Sequence, residues 1–284
     1  MTCSLATETG TDMLHPLTEA TKTDGGWLIN GQKSFGTLSP TAHLCEITCR
    51  VRHPQRGERL AQVRIPRESP GLDIKNNWDA LGMRASGSHD VVFTNCFIPD
   101  TALVDVSPWG KWSEGWLVGL MAMTMGLVGA FLGIAEAAHD LTIETVTTRR
   151  KGPGNRRAAE RYPIQHTIAE IEIDLAASHA MLERTATTTD TFFSLHPVGS
   201  VPLHALHQLM KDFQCTKWVV TRKAIEIVDR ALTVSGGAGY LSAHPLSRLY
   251  RDVRAGPFMQ PFSPNEAFEY IGQVTLGLDP ILEA

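Results

Sequence analysis

Ser235-Gly236-Gly237-Ala238-Gly239-Tyr240 follows a long apolar run and precedes Pro245-Leu246-Ser247-Arg248-Leu249-Tyr250-Arg251-Asp252. Glycine lets backbone N–H groups approach a phosphate, so Gly236 and Gly237 could cradle a diphosphate; the same residues could equally end a helix. The basic stretch Arg149-Arg150-Lys151 and Arg156-Arg157 offers the cations such an anion needs, or forms a solvated loop. Thr7, Phe35 and Thr37 form a second set: a ring face plus hydroxyl donors, or simply good strand formers. A carboxylate can take a proton near neutral pH; an amide such as that of Gln260 cannot. Glu266 lies at what reads as the start of a helix, where its charge favours the N-terminus. His89 opens a strand and reads as structural.

The elements that must position these residues fall into two kinds. Residues 1–106 read as a β domain of short strands. Asn30-Gly31 between two short apolar runs predicts a hairpin. Leu44–Val51, Ala61–Ile65, Gly71–Ile74 and Val91–Phe93 follow, with a polar turn over His53–Glu58. From Ser113 the period becomes helical. Trp116–Thr148, Pro163–Leu195 and Pro202–Val234 read as long helices, and Pro264 starts a fourth. The sequence predicts an α+β chain: a small β-barrel or sandwich, then an up-down four-helix bundle over 107–284, with a linker near Val106–Gly110.

Composition bounds the function. The 284 residues carry a net charge of −4, with 43% hydrophobic and 20% charged residues. That is a globular composition without the basic footprint of a nucleic-acid binder. The apolar Trp116–Ala138 run is read as a helix buried on most sides of the bundle rather than as a membrane span. No signal peptide is readable. The five cysteines suit reduced thiols in a cytoplasmic protein, and Cys45 and Cys49 share a strand face without the partners of a metal site.

The run from Ser235 to Gly256 resembles the carboxyl-terminal signature of the acyl-CoA dehydrogenase family. Three further stretches are similar to that family: Trp78–Asp90 with its Leu81-Gly82-Met83-Arg84-Ala85-Ser86 core, Gly31-Gln32-Lys33 leading to Thr37, and Ala6-Thr7-Glu8 leading to Asp12. The resemblance implies FAD as cofactor. Thr7, Phe35 and Thr37 would contact the flavin ring, Gly236 and Gly237 would border the FAD site, and Arg149 or Arg150 would face its diphosphate, with Arg150 the chosen candidate. The implied reaction is α,β-dehydrogenation of an acyl-CoA, with electrons passing to an electron-transfer flavoprotein, in a homo- or hetero-oligomer.

The pattern breaks at the acid. The family's base falls at Gln260, and its alternative location on the first long helix falls at Met123 and Thr124. The family's leading helical domain has no counterpart ahead of Thr7, as for a fragment, an internal start or a chain acting beside another subunit. Two other readings therefore stand beside the dehydrogenase. One is a flavin-dependent monooxygenase of the same fold, which needs no such Glu. The other is a partner subunit or inactive remnant.

Overall fold

The computed structural model describes residues 1–151, 154–197 and 199–281. The chain forms two compact units. One comprises residues 1–80 and 84–116, and the other residues 81–83 and 117–280.

The first unit is a mixed eight-stranded sheet. Its strands are β1 (Thr2–Leu5), β2 (Glu19–Thr23), β3 (Gly26–Gly36), β4 (Leu44–His53), β5 (Gly57–Pro66), β6 (Leu72–Ile74), β7 (His89–Pro99) and β8 (Leu103–Pro108). The order is β6-β7-β3-β2-β4-β5-β8, and β1 also pairs with β4. Both β1 and β2 run parallel to β4, on successive stretches of one edge. The inward faces of these strands supply one core that includes Leu5, Ile29, Ile47, Val63, Val91 and Ile98. Cys45 and Cys49 are fully buried in it, as alternation in a strand requires. All five cysteines are free thiols, and no metal-ligating cluster occurs among the described residues.

Two expectations are corrected here. Asn30-Gly31 does not turn a hairpin: β3 runs straight through it, and the pairing with β7 shifts register between Ile29 and Gly31. Gly31 has φ +149° and lies against Thr18, where a Cβ would come within 2.5 Å of the Thr18 hydroxyl. The pair is a bulge, chosen for close approach. The actual turn is at Gly25, with φ +75°, between β2 and β3. Val106–Pro108 is also not a linker. It ends β8, where Ser107 and Pro108 pair with Leu60 and Arg59 of β5, and the β unit continues to residue 116.

The second unit is helical. Its main helices are α1 (Glu114–Thr148), α2 (Tyr162–Leu195) and α3 (Leu203–Ser235). Short α4 (Gly237–Tyr240), α5 (Pro245–Val253) and α6 (Pro264–Thr275) follow, and two-residue strands β9 (Arg150–Lys151) and β10 (Arg156–Arg157) join α1 to α2. Val128, Leu132 and Ala135 of α1 meet Ile171 and Leu175 of α2, Ala224 and Ile227 of α3, and Leu246 and Val253 of α5 in one core. Ser263 and Glu266 close a capping box on α6, so the Glu266 carboxylate does serve the helix start. α1 departs from expectation. By length and composition it is apolar enough to cross a membrane, yet only 39% of its most apolar window is buried in the fold. It is covered on one side, not on most. Its small residues Gly115, Gly119 and Gly126 face open space.

Candidate active site

In the β unit, one end of β3 collects three of the sequence candidates. Thr7 accepts the Ser34 N–H through its carbonyl at 2.9 Å, which lays its segment beside β3. Phe35 is 60% exposed, and its ring meets Trp78 edge-to-face at 6.1 Å. Its φ of +57° is unusual for a bulky residue and aims the ring outward. The Thr37 hydroxyl lies 2.9 Å from that of Ser88, which lies 2.7 Å from that of Ser86. An exposed aromatic face beside a string of hydroxyls fits a flat heteroaromatic ring with a polar edge. Ser86, Ser88 and Trp78 were not singled out from sequence, although all three lie in the quoted Trp78–Asp90 stretch. His89 is structural: its Nδ1 accepts from the Asn77 and Trp78 N–H groups at 3.0 and 2.9 Å.

The same strand carries one half of a buried ion pair. Lys33 Nζ donates to Glu8 Oε1 at 2.5 Å and to the Thr48 hydroxyl at 3.2 Å, with the Lys33 side chain 0% exposed. Glu8 also accepts the N–H groups of Leu17 at 2.6 Å and Thr18 at 3.1 Å. Burial pushes the Lys33 ammonium down from its ordinary value, and the Glu8 carboxylate opposes that shift. Glu8 thereby fixes the Thr7 segment to the strand that carries Phe35.

In the helical unit, Gly236 ends α3 with φ +65°, and a side chain on Gly236 or Gly237 would meet nothing within 4 Å. Arg149 donates to the Ser235 carbonyl at 3.0 Å, beside this turn. Arg150 instead donates to the Asn155 carbonyl at 3.0 Å within the β9–β10 hairpin. The open glycine backbone and its neighbouring guanidinium suit an anion, and the arginine at hand is Arg149.

In the same unit a closely packed hollow, without room for a water molecule, lies between α1, α3 and the turn before α6. Thr124, Leu127, Val128 and Phe131 line it from α1, Lys217 and Thr221 from α3, and Gly256, Met259 and Gln260 from the turn before α6. Gly256 lets the turn pack directly on α3, since a Cβ there would come within 2.9 Å of the Thr221 Cβ. The Thr124 hydroxyl donates to the Leu120 carbonyl and the Thr221 hydroxyl to the Lys217 carbonyl, each at 2.7 Å. Both hydroxyl protons are thus spent on their own helices. Lys217 was missed from sequence: within an amphipathic helix its charge reads as surface. It is buried, and its Nζ donates to the carbonyls of Met259 and of Phe262, the latter at 2.5 Å. Burial pulls its ammonium down to about 8, against an upward pull from Glu266. No carboxylate or imidazole lines the hollow.

A β unit that presents an aromatic face and a helical unit with an open glycine turn define a flavoprotein class of the acyl-CoA dehydrogenase type. The acyl-CoA dehydrogenase middle-domain model matches residues 3–96, and the C-terminal-domain model matches residues 125–262. The chain belongs to the acyl-CoA dehydrogenase family. Among curated relatives, the amino sugar nitrososynthase RubN8 of Streptomyces rubradiris is 36% identical over 90% of this chain and 58% of its own length. The amino sugar nitrososynthase DnmZ of Streptomyces peucetius is 34% identical over 90% of this chain and 60% of its own. Among solved structures, KijD3 in complex with FMN and dTDP-3-amino-2,3,6-trideoxy-4-keto-3-methyl-D-glucose superposes with a TM-score of 0.88 at 31% identity. That match covers 99% of this chain and 66% of KijD3. The chain thus spans about 60% of the length of the curated relatives it matches.

Proposed function

We propose that this chain carries the flavin-binding and substrate-contacting parts of a flavin-dependent oxygenase that oxidises the nitrogen of an amino group, on a nucleotide-linked amino sugar. The carrying observation is Gln260, which packs against α1 and α3 where the resemblance puts a dehydrogenase's base. The alternative location on α1 falls at Met123 and Thr124, and none of these three side chains can accept an α-proton at neutral pH. The similarity to the two nitrososynthases and to KijD3 supports the amine as substrate.

In this reading a reduced flavin, FAD or FMN, together with dioxygen supplies the electrophilic oxygen. The chain's residues do the rest. Phe35 covers a ring face, and the Thr37 and Ser88 hydroxyls meet its polar edge. Gln260, an amide, leaves the site without the base that α-proton removal would need. This chemistry asks for no carbon acid and no thioester, so fatty acid oxidation and transfer to an electron-transfer flavoprotein drop out of the reading. The five free thiols fit a reducing cytoplasm.

The test is spectroscopic. The purified protein is expected to bind flavin and to resist anaerobic bleaching by a panel of acyl-CoA thioesters. With a flavin reductase, NADH and oxygen it is expected to convert a dTDP-linked 3-amino sugar to an N-oxidised product seen by mass spectrometry. Rapid anaerobic bleaching by any acyl-CoA would overturn the proposal.

A further inference from the structure

We infer that Thr37, Ser88 and Ser86 form a hydrogen-bond chain of reversible polarity, which lets Thr37 donate to oxidised flavin and accept from reduced flavin. Ser88 and Ser86 are positioning residues that act on the cofactor through Thr37. The inference rests on the reading of Thr37 as a flavin-edge contact and extends it to the two redox states that edge must serve.

Backbone contacts hold the three hydroxyls in line. All three residues belong to the β unit. The Leu38 N–H donates to the Ser86 carbonyl at 2.9 Å, and the Ser39 hydroxyl donates to the Gly87 carbonyl at 3.3 Å. These bonds lace the turn after β3 to the segment before β7. Leu38 has φ +66°, a conformation that a bulky residue keeps only when its surroundings fix it. Across the lacing, the Thr37 and Ser88 hydroxyl oxygens lie 2.9 Å apart, and those of Ser88 and Ser86 lie 2.7 Å apart. In both bonds either oxygen can be the donor.

The protons then allow two states. Three hydroxyls carry three protons, and the two bonds between them use two. The third emerges at one end. When Ser86 donates to Ser88 and Ser88 to Thr37, the Thr37 proton points outward. When the order reverses, Thr37 offers only lone pairs outward, and the spare proton sits on Ser86. Both ends are open: Thr37 is exposed and Ser86 is half-buried. The middle is closed, since Ser88 is 6% exposed and its hydroxyl makes no other hydrogen bond among the described residues. Ser88 can therefore take a proton from one neighbour only by giving its own to the other. A flavin ring nitrogen asks for both states. Oxidised, it is an acceptor; reduced, it carries hydrogen and donates. An enzyme that works with reduced flavin and oxygen must hold both forms.

Flavin affinity in the two redox states reads the chain without turnover. The purified protein is brought to anaerobic dialysis equilibrium with oxidised FAD and, separately, with dithionite-reduced FAD. Ser86→Ala removes the acceptor for the buried Ser88 proton, which the outward-accepting state needs. In the opposite state it leaves only a spare lone pair, the cheaper loss. The variant is expected to bind reduced FAD about tenfold more weakly and oxidised FAD within about twofold of wild type. A tenfold change in that ratio lowers the potential of the bound couple by about 30 mV. Ser86→Thr keeps a hydroxyl and is expected to restore the ratio. Ser88→Ala leaves the Thr37 proton without an inner acceptor and is expected to shift the ratio in the same direction. Loss of a structural contact alone would weaken both forms alike. Equal changes for the two forms, or none, in both alanine variants overturn the inference. If Thr37→Val still weakens FAD binding in that case, the flavin-edge reading stands. Thr37→Val without effect on either form sinks both. A redox-selective loss in a protein that forms no N-oxidised product supports the chain and sinks only the amine-oxidising function.

Discussion

The Met83 backbone N–H donates to Asp252 Oδ1 at 2.6 Å. Two stretches far apart in sequence, Leu81-Gly82-Met83 and Arg251-Asp252, are thus one structural joint. Gly82 sits at its centre, where a Cβ would come within 2.2 Å of the Arg251 carbonyl oxygen. Asp252, which measures the distance to Gln260 in sequence, is held in place by this contact.

The joint predicts an asymmetric pair of glycine variants. Gly82→Ala forces backbone apart and is expected to cost roughly 1 to 3 kcal/mol. Gly119→Ala, on the open face of α1, is expected to be neutral or to stabilise by up to about 1 kcal/mol. Urea unfolding of both variants decides it. Equal effects at the two positions would refute the assignment.

The Glu8–Lys33 pair predicts a non-additive cycle. Lys33→Met leaves the Glu8 carboxylate buried without its cation and is expected to cost roughly 3 to 5 kcal/mol. In Glu8→Gln/Lys33→Met the charge is gone from both sides, so the loss is expected to be smaller than the sum of the single losses. Chemical denaturation of the four proteins measures the coupling, and strict additivity would show that the pair does not act as a unit.

Lys217 predicts a pH dependence of stability. Below about pH 8 the folded and unfolded chains both hold its proton. Between 8 and the ordinary lysine value of 10.5 only the unfolded chain does. The unfolded state then binds more protons, so this residue's contribution to stability rises as pH rises through that window, by about 3 kcal/mol. Lys217→Met should lack that rise. Unfolding midpoints at pH 7.5 and 10, wild type against variant, report the difference, and parallel profiles would count against a depressed ammonium.

Phe35 and Thr37 predict a loss of flavin retention without a loss of fold. Phe35 is already 60% exposed, so Phe35→Ala is expected to leave the thermal midpoint nearly unchanged. Flavin affinity should fall by about tenfold for Phe35→Ala and similarly for Thr37→Val, the value of one ring contact or hydrogen bond. Fluorescence titration with FAD and FMN checks it. A variant that unfolds but binds normally when folded would place these residues outside the flavin surface.

The sequence made the helical half legible because its apolar residues recur at helical spacing over long stretches and its breaks fall at prolines and glycines. The helices found, such as Tyr162–Leu195 and Leu203–Ser235, start and stop within a residue or so of the periodicity. The β half was less legible. Asn30-Gly31 carries the dipeptide of a hairpin but sits in a bulge, because dipeptide chemistry fixes an allowed φ and not the partner strand. Ser107 and Pro108 look like a linker, yet they pair with β5, a contact no local pattern encodes.

What the sequence determined by itself is the inventory: the glycine turn, the hydroxyls and ring of the β face, and an amide where an acid would serve dehydrogenation. Those are properties of residue type and spacing, which the chain carries before it folds. The tertiary structure decided which of them meet. It brought Thr124 of α1 to the same hollow as Gln260, and it set Arg149 rather than Arg150 beside the glycine turn. It also buried Lys217 against two carbonyls. Each of these depends on how helices pack. Packing converts a surface-like lysine into a fixed internal charge by removing the water that would have shared it.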